Sequence, residues 1–320
     1  MKIVALLLLF SVSACEDNFD PPSLLARSRI LGLAFSVEGD PDRTDPLRGE
    51  TVDLRVLWAF PNEPLPLSFQ GIACVALQTG FGVPTCDPDF GVIAELEANA
   101  PAGDMPVLTL RVPDDFPEGR ELLLFGGTCA GGPVDTLLLP ADGSFDTSAL
   151  DVCERPEDTG ELLQTTLPIP IDIADANRSP SLLVDMTLAG QPLATGNLQT
   201  GDACSERKDL PLLRVGGPRV ALVVSASPES LEPLTPEGDV NPENEVLQVG
   251  LMITSGEANA NFLLIEADDL IEDTTIRPAR EAERSPGSDG SIERIILSVR
   301  DGRGGLVVQD VAYCLLEAEP

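Results

Sequence analysis

Residues 52–60, VDLRVLWAF, are the clearest structural signal in the chain. Large apolar side chains fall on every second position of this stretch: Val52, Leu54, Val56, Trp58 and Phe60. A period of two places them on one face of a β-strand, and that face is the one expected to be buried. Pro61 ends the strand, because proline has no N–H to donate to a neighbouring strand. We therefore expect Trp58 in the core rather than on a ligand-binding surface.

Short apolar stretches recur along the chain, separated by turns rich in glycine, proline and aspartate. The same pattern predicts further strands at residues 30–37, 67–75, 107–112 and 121–125. Helical periodicity is scarce, and the two best helix candidates, residues 92–98 and 262–271, are both short. The chain is therefore predicted to be an all-β protein built from β-sandwiches.

An internal echo predicts that the sandwich is duplicated. The pattern G-x-x-V-x-L-x-V at residues 49–56 recurs at residues 217–224. Gly119 and Gly290 form a second matching pair, and each precedes an aliphatic stretch. Because alternating apolar residues match easily, this echo is modest support for two related units.

The boundary between the two units is expected at residues 172–180, DIADANRSP, a polar stretch between two apolar runs. It divides the folded part of the chain into a first domain at 27–174 and a second domain at 175–320. The tripeptide N-R-S at residues 177–179 matches an N-glycosylation acceptor pattern. We interpret it as part of the linker only.

The N-terminal stretch MKIVALLLLFSVSAC, residues 1–15, has the features of an export signal. Lys2 supplies a positive charge, and the apolar run at residues 3–12 is too short to span a bilayer. Residues 12–15, V-S-A-C, resemble the bacterial lipobox, which implies that Cys15 is lipidated and becomes the first mature residue. We expect a signal peptide at residues 1–14, a tether at residues 15–26, and an anchor in the outer rather than the inner membrane.

The acidic composition argues against nucleic acid as a partner. The chain has 53 acidic and 20 basic residues, a net charge of −33, which repels nucleic-acid phosphates and anionic lipid headgroups. The densest basic cluster is Arg277, Arg280 and Arg284, and the same segment also contains Glu281 and Glu283. We therefore expect local ion pairs on a solvated surface there.

The cysteine count predicts disulfides. Of the 7 cysteines, six remain if Cys15 carries lipid, and an even number in an exported chain indicates disulfide bonds. Many pairings are possible, and chain order favours Cys74–Cys86, Cys129–Cys153 and Cys204–Cys314. A metal site is a weaker interpretation, because the chain has no C-x-x-C motif and no histidine.

Two segments carry a resemblance to a known class of proteins. RILGLAFSVEGDPDRTDPLRGETVDLRVLWAF, residues 29–60, resembles the start of Ig-like domains in uncharacterised lipoproteins of Gram-negative bacteria. IERIILSVRDGRGGLVVQDVAYC, residues 292–314, is similar to the last strands of their Ig-like or PKD-like repeats. The resemblance implies a β-sandwich surface or periplasmic protein, and together with the internal echo it leads us to expect two Ig-like β-sandwich domains in tandem.

The absence of histidine excludes several kinds of catalysis within this chain: Ser-His-Asp or Cys-His nucleophiles, histidine bases and histidine-ligated zinc. A carboxylate-based hydrolase needs only paired acids, but 53 acidic residues make chance pairs inevitable. The loop DGRGG at residues 301–305 lacks the Lys-Ser/Thr ending of a phosphate-binding P-loop. We interpret it as a β-hairpin turn, and we expect neither a cofactor nor enzymatic activity.

Two acidic loops are candidates for calcium, because hard oxygen ligands suit Ca²⁺. One loop contains Asp142, Ser144, Asp146 and Asp151, and the other contains Glu237, Asp239, Asn241, Glu243 and Glu245. Neither matches the spacing of an EF-hand, so the main expectation is a solvated acidic surface. Of these residues, Asp142, Asp146, Asp239 and Glu243 are the principal candidate ligands.

These observations together predict a non-enzymatic, lipid-anchored protein of the cell envelope that acts in binding, adhesion or structural support. Its membrane contact would be the N-terminal lipid, and its partner would be a protein or a surface. One alternative is an accessory subunit of an envelope secretion or transport complex. The other alternative is a carboxylate-based hydrolase, for which the sequence gives the least support.

Overall fold

A computed structural model of the protein describes residues 22–77, 84–135, 152–171, 176–180, 183–195, 199–232, 245–281 and 283–318. Within these ranges the regular structure is β-strand, apart from two short 3₁₀ turns at Cys204–Glu206 and Pro228–Ser230. The predicted all-β sandwich class is confirmed. The described residues contain no helix of the length and hydropathy needed to cross a membrane.

The first sandwich unit consists of eight strands: β1 (Arg29–Val37), β2 (Thr51–Ala59), β3 (Leu67–Leu77), β4 (Thr85–Cys86), β5 (Val92–Ala100), β6 (Val107–Arg111), β7 (Glu121–Ala130) and β8 (Thr159–Pro168). One sheet has the order β1-β2-β6. In the other sheet, β4 and β5 pair with β3, which is followed by β7 and β8. The core between the sheets includes Trp58, as expected, together with Phe69 and Leu122.

The second sandwich unit consists of eleven strands, several of them very short: β9 (Asp185–Leu188), β10 (Gln191–Pro192), β11 (Ala194–Thr195), β12 (Leu212–Arg214), β13 (Val220–Ser225), β14 (Leu247–Ile253), β15 (Glu257–Ala258), β16 (Phe262–Ile265), β17 (Ile271–Arg277), β18 (Ser291–Arg300) and β19 (Leu306–Leu316). Its sheets have the orders β10-β9-β13-β17-β15 and β11-β19-β18-β14-β16, and β12 runs parallel to β19. Tyr313 lies in a core that is otherwise aliphatic.

The two units share one strand order. In the smaller sheet of the first unit β2 lies between β1 and β6, just as β13 lies between β9 and β17 in the second. In the other sheets β3 lies between β5 and β7, just as β14 lies between β16 and β18. The echo at residues 49–56 and 217–224 therefore falls on the equivalent strands β2 and β13. Gly119 and Gly290, with φ of +68° and +76°, occupy equivalent turns before β7 and β18.

Both segments expected to be helices are strands instead. Residues 92–98 belong to β5, where Leu96 and Ala100 face the core while Glu95, Glu97 and Asn99 face solvent. Residues 262–271 contain β16, a tight turn and the start of β17. Small alanines and helix-favouring glutamates hid a period of two in β5, and pairing with β3 overrides this local propensity.

Three disulfides join the cysteines of the described residues in the order-based pairs: Cys74–Cys86, Cys129–Cys153 and Cys204–Cys314. The first two are local bonds, with sequence separations of 12 and 24, and both lie in the first unit. The third has a separation of 110 and ties the 3₁₀ turn after β11 to the last strand of the second unit. The two units are thus cross-linked in different ways.

The N-terminal segment enters the body between the two units. The Leu25 N–H donates to the Ile253 carbonyl at 2.7 Å, and the Ile253 N–H donates to the Ser23 carbonyl at 2.7 Å. A small apolar cluster then joins the units and contains Leu25, Leu31, Ala59 and Ile296. Residues 23–25, assigned to the tether from the sequence, therefore form part of the folded body.

Candidate functional site

A cluster of buried polar side chains lies between the two units, and we call it the polar junction. Thr44 and Asp45 come from the loop between β1 and β2, and Asn177 comes from the segment that connects the units. Glu245 precedes β14, and Asp301 and Arg303 lie in the turn between β18 and β19. A buried polar group is costly unless it is hydrogen-bonded, so the partners of each group decide what this cluster does.

Asn177 connects the two units directly. Its side-chain Nδ2 donates to Thr44 Oγ1 at 3.0 Å in the first unit and to Asp301 Oδ2 at 2.8 Å in the second. Its backbone N–H donates to Asp45 Oδ2 at 3.2 Å, and its carbonyl accepts from the Thr44 N–H at 2.9 Å. Asn177 is fully buried, in keeping with its interpretation as a linker residue rather than a glycosylation acceptor.

The turn at residues 301–305 positions Asp301. Its Oδ1 accepts hydrogen bonds from the backbone N–H groups of Arg303 at 2.7 Å and Gly305 at 2.9 Å. Gly302 and Gly304 adopt positive φ, +79° and +113°, which favours glycine at these positions. The turn joins two antiparallel strands, so the predicted β-hairpin turn is confirmed.

Carboxylates outnumber cations in the polar junction. Arg303 Nη1 lies 2.9 Å from Glu245 Oε1 and 3.5 Å from Glu232 Oε2. Burial raises the pKa of the Asp45 carboxyl to about 6, although its hydrogen bond from the Asn177 N–H opposes the rise. Burial also raises the pKa of the Glu245 carboxyl to about 7. Near neutral pH the carboxyls of Asp45 and Glu245 are therefore protonated more often than solvent-exposed carboxyls would be.

The junction does not present its carboxylates to a substrate cavity. A groove of about 640 Å³ lies beside it, lined by Asp42, Glu232 and other residues, and a second groove of about 430 Å³ is lined in part by Arg303. Asp45, Glu245 and Asp301 line neither groove. Asp45 and Asp301 both accept hydrogen bonds from Asn177, so this part of the junction links the two units.

The sequence analysis missed the polar junction. Glu245 appeared there only as a calcium candidate, and Asp301 only as a turn residue. The four contributing segments lie far apart in the chain, as the sequence separation of 124 between Asn177 and Asp301 shows. Asn177, an amide among the polar residues of the linker, was the one local signal, because a buried amide can bond to two partners at once.

The remaining predicted site residues fall into two groups. Cys15 and the calcium candidates Asp142, Ser144, Asp146, Asp151, Glu237, Asp239, Asn241 and Glu243 lie outside the described residues. Glu245 is described, and its Oε2 accepts the Glu232 N–H at 3.2 Å. Across the ranges that the structure describes, no group of three or more His, Cys, Asp or Glu side chains is arranged to hold a metal ion.

The basic cluster forms local ion pairs, as expected. Arg277 Nε lies 2.9 Å from Glu257 Oε2, and Arg277 Nη1 lies 3.2 Å from Glu283 Oε2. Arg284 differs from the expected solvated pair, because its Nε lies 2.9 Å from Oε1 of the fully buried Glu293. Its guanidinium therefore acts as the counter-ion of a core carboxylate.

Comparison with known proteins gives little further information. The sequence matches no protein-family model and no curated protein. Among solved structures, the chain is similar to dimeric latent PorU from Porphyromonas gingivalis, with 10% sequence identity and a TM-score of 0.21. The match covers 92% of this chain but only 24% of the PorU chain. A likeness of this strength indicates neither a shared family nor a shared function.

Proposed function

We propose that this protein is a non-enzymatic, lipid-anchored protein of the bacterial cell envelope, with its anchor in the outer membrane, and that it presents a rigid two-unit body for binding. The cysteine pattern carries the proposal. Disulfides use six of the 7 cysteines, and the remaining one is Cys15 at the end of the export signal. Disulfides form and persist in oxidising compartments such as the periplasm and the cell surface.

The contacts between the units support a rigid body. Asn177 bonds to both units, and the Arg294 Nη1 donates to the Phe60 carbonyl at 3.2 Å across the same interface. The Ser23 Oγ accepts the Ala258 N–H at 3.0 Å and fixes the start of the body. Because residues 23–25 are held, only residues 16–22 separate the proposed lipid from the body. Such a tether reaches at most about 25 Å, which keeps the body close to the membrane.

The anchor is tested by producing the full chain, signal included, in a Gram-negative host with an alkyne-labelled fatty acid. We expect the wild-type protein to incorporate the label and to sediment with outer-membrane fractions. The Cys15→Ala variant should lose the label and should not be processed at this site. An unlabelled wild-type protein that still begins at Met1 would refute the anchor.

The binding role is tested separately in intact cells. Photo-crosslinking residues placed across the surface of the anchored body should capture one partner at a defined set of positions. The matched control carries the same residues on a version lacking residues 1–14. Crosslinks spread evenly over the surface, with no preferred partner, would contradict a binding role.

A further inference from the structure

We propose that the free edge of β16 is a docking site at which an extended, basic and apolar segment of a partner protein adds as a further strand. This inference rests on the proposed binding function and names the surface that performs it. The docking site is suggested by a difference between two equivalent strands, β5 and β16. In each unit one strand lies at the outer edge of the larger sheet, β5 beside β3 and β16 beside β14.

The two edges present different side chains. After its exposed first residue, Val92, β5 directs Glu95, Glu97 and Asn99 to solvent. Charged residues on an edge strand discourage pairing with another chain. β16 instead exposes Phe262 and Leu264, which are 47% and 46% accessible. β16 therefore lacks the charged side chains that discourage pairing of β5 with another chain.

The backbone of β16 is also available. The Leu251 N–H donates to the Asn261 carbonyl at 2.8 Å, which marks these residues as a hydrogen-bonded pair of the β14–β16 ladder. Such pairs alternate along antiparallel strands, so the backbone groups of Leu263 and Ile265 also face β14. The N–H and C=O groups of Phe262 and Leu264 therefore point to the other edge. Among the described residues no strand pairs with that edge.

The acidic residues that follow β16 favour a basic partner segment at this edge. The segment from β16 into β17 carries five carboxylates and no lysine or arginine before Arg277; the acids are Glu266, Asp268, Asp269, Glu272 and Asp273. A second copy of this chain is disfavoured, because each copy carries a net charge of −33. An incoming strand with alternating apolar and basic residues satisfies the free backbone groups, covers Phe262 and Leu264, and is attracted by the carboxylates that follow β16.

The probe for this site is a synthetic peptide of alternating valine and lysine, with an alternating valine and glutamate peptide as its control. We expect the lysine peptide alone to bind the folded protein. Binding should weaken at least tenfold in Phe262→Glu/Leu264→Glu and stay unchanged in Val92→Glu on the equivalent edge. The added carboxylates increase the non-specific attraction of a basic peptide. A loss of peptide binding in this variant would therefore show that binding needs the apolar side chains and the backbone edge of β16.

Hydrogen exchange of the wild-type protein gives a second measurement that does not depend on a variant folding. The bound lysine peptide should protect the amides of Phe262 and Leu264, while the amides of β5 stay unchanged. Equal binding by the double variant, or no protection at these two amides, would overturn the proposal. If the partner captured in cells still crosslinks to Phe262→Glu/Leu264→Glu, the binding function stands and the β16 site alone is wrong.

Discussion

The two sandwich units have the same strand order but are stabilised differently. The first core contains Trp58 and several phenylalanines, and two short-range disulfides fasten β3 to β4 and β7 to the segment before β8. The second core is aliphatic apart from Tyr313, and one long-range disulfide joins the 3₁₀ turn after β11 to β19. One strand order is therefore compatible with two kinds of core and two kinds of cross-link. The alternation of apolar residues determines the fold, while the disulfides limit how far the unfolded chain can extend.

The largest expected effect is on the long disulfide. Removing a cross-link frees the unfolded chain by an amount that grows with loop length, so Cys204→Ser/Cys314→Ser should cost about 5 kcal/mol. The local pair Cys74→Ser/Cys86→Ser should cost about 3 kcal/mol by the same argument. Urea denaturation of both variants measures the difference. An equal or larger cost for the local pair would contradict the loop-length explanation of this contrast.

We expect the polar junction to make the two units unfold together. The chain has one tryptophan and one tyrosine, and these lie in different cores, Trp58 in the first and Tyr313 in the second. Their fluorescence therefore reports on each unit separately. With the junction intact, we expect both probes to change at the same urea concentration.

Asn177→Ala should separate these two transitions and cost roughly 2–3 kcal/mol, because it leaves Asp301 Oδ2 and Thr44 Oγ1 without the amide donor. The control is Asn99→Ala on the exposed face of β5, which should leave the transitions together. Coincident transitions in Asn177→Ala would mean that the apolar cluster around Leu25 is enough to couple the units.

How far the sequence could predict this structure follows from the range of the interactions. Alternation along β2 is a local property, and it correctly placed Trp58 in the core. The pairing of β5 with β3 and of β16 with β14 is not local, so both segments were mistaken for helices. The polar junction depends on four distant segments meeting, and no spacing between residues such as Asp45, Asn177 and Asp301 indicates it. Edge exposure at Phe262 likewise appears only once the neighbours of β16 are known.

The smallest expected effect is the pH dependence that distinguishes the junction from both apolar cores. In the folded protein the pKa of Asp45 is raised from 3.8 to about 6, and that of Glu245 from 4.5 to about 7. Between these limits the folded state binds more protons than the unfolded state. Stability from these two groups is therefore complete below about pH 4 and falls as pH rises towards about 7.

By linkage, each of the two groups lowers the free energy of unfolding by at most about 1.4 kcal/mol per pH unit within its window. Burial also raises the pKa values of three other acids, Glu161, Glu293 and Asp310, which add to the same trend. Carboxyls whose pKa values are lowered by arginine partners, such as Glu257, act mainly below about pH 5 and oppose it only there.

Asp45→Asn and Glu245→Gln should each flatten the fall in the urea midpoint between about pH 5 and about pH 8. The control, Glu97→Gln, removes the same charge from an exposed position on β5 and should leave the slope unchanged. If the control flattens the curve equally, overall repulsion within this acidic chain explains the pH dependence. If only the junction variants do so, the connection between the units weakens with rising pH, and the Trp58 and Tyr313 transitions in urea should begin to separate on the alkaline side.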